Sequence, residues 1–144
     1  VNPDLYNGLI SGRDAMISQL KEKPDSFDIL SELGVIYMTL GDFNNAINYL
    51  EKAAEVSPVN TKAWSNLASM YREQKKYNKA RDVYEKFMKS VPKDPEPYLG
   101  LAEMYVAGQA GGTKEDAIAI LEQGYVVTKE SPVIQDMLNK IKAQ

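Results

Sequence analysis

At 144 residues the chain has room for one domain or a short array of small units, and 26% charged against 44% hydrophobic residues predicts a folded soluble protein. The net charge of −3, with no Lys/Arg block, argues against a nucleic-acid footprint, and no apolar run approaches the ~20 residues that span a bilayer. Cysteine and histidine are both absent, which removes disulfides, thiolate nucleophiles, the commonest general base and the usual zinc ligands. The chain is therefore expected to be no enzyme and to carry no metal and no cofactor.

The first element is a helix over Leu5 to Lys21, with Leu9, Met16, Ile17 and Leu20 on one face, ending before Pro24. A second helix starts near Phe27 and carries Leu30, Leu33, Val35 and Tyr37. It holds Gly34 inside an apolar run, where glycine costs about 0.5–1 kcal/mol relative to alanine. Gly41 then reads as the left-handed residue after the helix, and Asp42 as the N-cap of a third helix carrying Phe43, Ala46, Ile47 and Leu50.

A shift of 34 residues lays "FDILSELGVIYMTLGDFNNAINYLEKAAEVSP" over "TKAWSNLASMYREQKKYNKARDVYEKFMKSVP". Leu33 falls on Leu67, Gly34 on Ala68, Tyr37 on Tyr71, Ala46 on Ala80 and Pro58 on Pro92. A third copy follows, with Leu101, Ala102 and Tyr105, and slips by three residues before Ala117. The glycine-rich "AGQAGGTK", Ala107 to Lys114, absorbs the slip in a loop. Small side chains at 34, 68 and 102, and at 46, 80 and 117, let paired helices approach closely. Before the third copy, Asp94 is expected to cap and Pro95 to take the first helical position. Pro24 precedes Pro58 by one full step, so the N-terminal helix has the register of the second half of a preceding unit. The last helix, Pro132 to Ala143, carries Val133, Ile134, Met137, Leu138 and Ile141 and reads as a capping helix.

Trp64, Leu67, Tyr71, Ala80, Tyr84 and Pro92, with their counterparts in the other two copies, resemble the signature of the tetratricopeptide repeat family. The resemblance covers Phe27 to Thr128. Phe87 and Gly124 depart from it where Ala53 stands in the first copy, and Leu50 and Leu121 replace the aromatic represented by Tyr84. It implies an all-α fold, a right-handed α-α superhelix or solenoid of three helix pairs flanked by an N-terminal helix and a C-terminal capping helix. The expected organisation is residues 1–24 for the N-terminal helix, 27–60, 61–94 and 95–130 for the repeats, and 131–144 for the cap.

A non-catalytic interaction scaffold is the function this implies, with a peptide or helical segment of a partner held on the inner face formed by the first helix of each pair. Candidates for that face are Asp28, Ser31, Glu32, Val35 and Met38 in the first copy. In the second they are Lys62, Ser65, Asn66, Ser69 and Arg72, and in the third Glu96, Leu99, Gly100, Glu103 and Val106. The carboxylate clamp that some members use has only Asn66 here, with Ser31, Val35, Glu96 and Gly100 at its other positions. An apolar or amphipathic, mildly basic partner is expected rather than an acidic tail.

"LAEMYVAGQAGGTKEDAIAILEQG", Leu101 to Gly124, is also similar to the periplasmic repeat domain of bacterial c-type cytochrome biogenesis factors, which implies apocytochrome binding as an alternative. A third reading is a homo-oligomer formed through Leu5, Leu9 and Ile10 at the end of the stack. The compartment stays open between periplasm and cytoplasm. "GQAGG" lacks the ending of a phosphate loop and reads as an inter-helix loop, and the lysines of "REQKKYNKAR" read as a solvated turn.

Overall fold

The computed structural model describes residues 2–144, and among them eight α-helices and one 3-10 turn make up the regular structure. The helices are α1 (Pro3–Glu22), α2 (Phe27–Thr39), α3 (Phe43–Val56), α4 (Thr61–Glu73), α5 (Tyr77–Ser90), α6 (Glu96–Val106), α7 (Lys114–Val127) and α8 (Pro132–Lys142). The chain divides after Met70, within α4, into two compact units. No helix among the described residues is long and apolar enough to cross a membrane.

In the first unit, α2 and α3 form the tightest pair. A Cβ on Gly34 would lie 2.5 Å from Leu50 Cγ and 3.5 Å from the Ala46 carbonyl oxygen. The glycine therefore trades helix propensity for contact between the two helices. Leu30, Leu33, Ala46, Leu50 and Ala53 are fully enclosed around it. Tyr37 of α2 stacks on Tyr49 of α3, with ring centroids 5.4 Å apart.

The connection between these helices follows from two hydrogen bonds. The Gly41 N–H donates to the Met38 carbonyl (3.1 Å) and the Asp42 N–H to the Tyr37 carbonyl (2.9 Å). This pairing requires a left-handed residue, and Gly41 has φ 77°. The Asp42 carboxylate then accepts from the Asn45 N–H at 3.2 Å and opens α3.

The second unit repeats the exchange of large for small side chains with other residues. A Cβ on Gly100 of α6 would meet the ring of Tyr84 of α5 at 2.5 Å, and one on Gly124 of α7 would meet Tyr98 of α6 at 2.6 Å. Phe87, also at the Ala53 register, is fully buried. Tyr98, Ala102, Ala117, Leu121, Ile134, Leu138 and Ile141 form one core cluster joining α6, α7 and α8. The three-residue slip lies in a loop with its own structure. The Gln109–Gly111 turn follows left-handed Gly108, and Gly112 sits so close to the Tyr105 ring that no Cβ would fit. Thr113 and Asp116 then close a reciprocal capping box on α7.

Helix starts recur at the same step. Ser26, Asn60 and Asp94 each accept from a backbone N–H of the helix that follows, at 3.4, 3.2 and 2.9 Å. Asp94 thus caps as expected. Pro95 has helical φ and ψ, although the regular hydrogen-bonded run begins at Glu96. The α4–α5 turn has no such caps. Lys75 holds φ 57° where Gly41 stands in the first copy, and Lys76 makes no side-chain capping bond where Asp42 does.

Two outcomes follow. Gly34→Ala forces Leu50 or the α2 backbone to move and is expected to destabilise the protein by about 1–3 kcal/mol in urea unfolding. Transplanting the first turn, Lys75→Gly with Lys76→Asp, relieves a left-handed lysine and supplies a cap. It is expected to stabilise by about 1–2 kcal/mol in the same measurement.

Candidate functional site

The outward faces of α2 and α6 each border a surface hollow. In the first unit the hollow measures about 710 Å³ and is lined by Phe27, Asp28, Ser31, Glu32, Val35, Asn60 and Lys62. Five of the fifteen residues chosen from the sequence meet there: Asp28, Ser31, Glu32, Val35 and Lys62. Its wall is mixed, with two carboxylates against one ammonium, and Ser31 is the one polar residue among them that is itself buried. Phe27 and Asn60 were not anticipated. Both sit at the first turn or the cap of a helix, where local roles mask an exposed face.

In the second unit, a hollow of about 500 Å³ opens between α6 and α8. Leu99, Glu103 and Val106 contribute from α6, and Val133, Asp136, Met137, Lys140, Ile141 and Gln144 from the last helix and its end. Its floor is apolar and its rim carries two carboxylates and one lysine. The part played by α8 was missed because the sequence reading assigned that helix to capping alone. A signal was present: five apolar residues in one short helix exceed what a single buried stripe needs. Ile134, Leu138 and Ile141 are buried, whereas Val133 is 51% exposed.

Arg72, at the end of α4, belongs to a polar group on the same unit. Its Nη1 donates to the Tyr84 hydroxyl oxygen and to Glu103 Oε2, both at 3.3 Å. Partial burial works against the guanidinium charge, but the Tyr84 hydrogen bond and Glu103 more than offset it and raise its pKa. Burial likewise raises the Tyr84 pKa, partly opposed by Arg72. At neutral pH the tyrosine thus stays protonated and the arginine charged.

Gly100 corrects one expectation. It was placed on the open face, yet it is buried, because the missing Cβ leaves the space that the Tyr84 ring fills. Met38, Ser65, Asn66, Ser69, Arg72 and Glu96 lie outside both hollows. Ser65 turns its hydroxyl back to the Thr61 carbonyl at 3.1 Å, Met38 and Asn66 are half-buried, and Ser69 and Glu96 are exposed. Among the described residues, no group of three or more acidic side chains is placed to hold a metal ion.

With this geometry in place, the comparisons with known proteins are direct. A profile described as "Tetratricopeptide repeat" matches residues 31–95. A TPR repeat-containing protein of Dictyostelium discoideum is 31% identical over 85 residues, which cover 58% of this chain and 32% of that protein. The chain spans about a third or less of the length of the curated relatives it matches. Among solved structures, MamA superposes with a TM-score of 0.67 at 20% identity, covering 94% of this chain and 72% of that one. The Cut9-Hcn1 hetero-tetramer of the APC/C gives 0.62 at 20% identity, covering 94% and 27%. Likeness at such identity shows the fold, an all-α repeat solenoid. Residues 31–95 thus match the tetratricopeptide repeat family, and the fold around them is that of a helical-repeat solenoid.

Proposed function

We propose that this chain is a non-catalytic adaptor that holds an apolar or amphipathic, mildly basic segment of a partner protein against the outward face of α6. The observation that carries the reading is the α6–α8 hollow, whose floor of Leu99, Val106, Val133, Met137 and Ile141 is rimmed by two carboxylates, Glu103 and Asp136, against the single ammonium of Lys140. An amphipathic helix buries its apolar ridge on such a floor and sets basic residues against such a rim. Support also comes from a structural neighbour, Cut9, which is seen assembled with Hcn1. Recognition of an apocytochrome helix is a narrower form of the same occupancy.

Fluorescence anisotropy with labelled amphipathic peptides tests the reading. A lysine-containing amphipathic peptide is expected to bind, and Leu99→Glu combined with Met137→Glu to weaken it at least tenfold with the helical circular dichroism unchanged. Micromolar binding of an EEVD-ended peptide, lost on Asn66→Ala, would overturn it.

Self-association is a second reading, favoured by α1, where Leu5 and Tyr6 are 55% and 48% exposed and no residue is fully buried. Light scattering over a hundredfold concentration range is expected to show mass rising with concentration, and less so in Leu5→Lys with Tyr6→Lys. A constant monomer mass excludes it.

A further inference from the structure

One position of the repeat changes its chemistry between copies. Trp64 and Tyr98, one step of 34 apart, each reach back to a proline carbonyl six residues earlier. Trp64 Nε1 donates to the Pro58 oxygen at 2.8 Å, and the Tyr98 hydroxyl donates to the Pro92 oxygen at 2.9 Å. In both cases a flat ring with a donor at its tip fills the space beside the proline. The same step backwards leads to Leu30 and Pro24. Leucine is smaller and has no donor, and no hydrogen bond to the Pro24 carbonyl is found among the described residues.

A hollow of about 300 Å³ lies at that place, lined by Ile17, Leu20, Lys21, Pro24, Leu30 and Lys52. Its walls are aliphatic side chains of α1 and α2, which offer water few partners. Its mouth carries two exposed lysines. Neither makes an ion pair among the described residues, and Lys52 Nζ lies 5.8 Å from the centre of the Tyr49 ring. A ring entering there meets aliphatic walls beside Pro24 and cations at the rim, where anionic neighbours of the ring are attracted.

We infer that this hollow is a second docking site, distinct from the faces of α2 and α6, and that it receives a tryptophan or tyrosine flanked by acidic residues from a partner protein. The incoming ring takes the place that Trp64 and Tyr98 fill from within their own copies, donating to the Pro24 carbonyl, while the acidic neighbours meet Lys21 and Lys52. The ligand chemistry is opposite in charge to that proposed for the α6–α8 hollow, so the two sites stand or fall separately.

The probe is the peptide acetyl-Asp-Trp-Asp-amide, titrated against methyl-labelled protein by NMR. Acetyl-Asp-Ala-Asp-amide and acetyl-Lys-Trp-Lys-amide serve as controls. The expected result is shifts concentrated on Ile17, Leu20 and Leu30 and an affinity at least tenfold above both controls. Leu30→Trp fills the hollow from inside and is expected to abolish binding while raising the Tm. Lys21→Glu with Lys52→Glu, both on the surface, is expected to weaken binding at least tenfold with unchanged circular dichroism. Equal binding of all three peptides, shifts centred on Leu99 and Val106, or an affinity unaffected by the two lysine changes would each overturn the inference.

Discussion

Everything in this fold depends on how closely two paired helices can approach, and that distance is set by side chains that are missing. Gly34 admits Leu50, Gly100 admits the ring of Tyr84 and Gly124 admits Tyr98. In each case one helix gives up a Cβ so that a large side chain of the other can lie flat against its backbone. Close packing makes such exchanges costly to undo, because a methyl group placed at 2.5 Å from a neighbouring side-chain atom forces that side chain to shift. The glycines therefore carry specificity more than flexibility. None of these three has the positive φ that Gly41, Gly108 and Gly111 show.

The same logic explains why the repeat tolerates substitution. At one register Ala53 becomes Phe87 and then Gly124, a range of volume that would wreck an isolated helix pair if partners stayed fixed. They do not stay fixed. Where the site shrinks to Gly124, the facing residue is Tyr98, and where Phe87 stands it is fully buried in the second unit. At Gly124 the missing side chain is matched by a large one on the facing helix, the kind of volume-conserving exchange that cores accept best. Helix caps behave differently, since each acts alone. Ser26, Asn60 and Asp94 do the same local work with different oxygens, whereas the Lys75–Lys76 turn does without a side-chain cap and is held by the Lys75 and Lys76 N–H groups donating to the Arg72 and Tyr71 carbonyls.

Much of this was legible in the sequence because the period is chemical. Prolines, small residues and caps recur at one step, so helix ends, the Gly34 contact and the Gly41–Asp42 junction could all be read directly. What escaped was set by pairing. Gly100 looked like an open-face residue, since nothing in its own helix reveals that Tyr84 of another helix needs its missing Cβ. The wall that α8 lends to the second hollow escaped for a related reason. Ile134 and Leu138 satisfy the core, and only the packing of α8 against α6 and α7 decides which of the remaining apolar residues, Val133 and Met137 among them, line the hollow.

Packing positions and outward positions thus answer to different constraints. The former are bound in reciprocal pairs across each helix contact, so a change at one demands a change at the other. The latter meet only solvent or a partner and can vary singly. This is why one chain can hold a mixed hollow beside α2, an apolar one with an acidic rim beside α6, and an aliphatic one with a basic rim beside Pro24. The third of these shows the two constraints meeting. Leu30 is a packing residue, enclosed like Trp64 and Tyr98, yet it lacks the reach to close its own copy. This hollow sits where a ring stands in the other two copies, beside the proline whose counterparts accept a hydrogen bond from that ring.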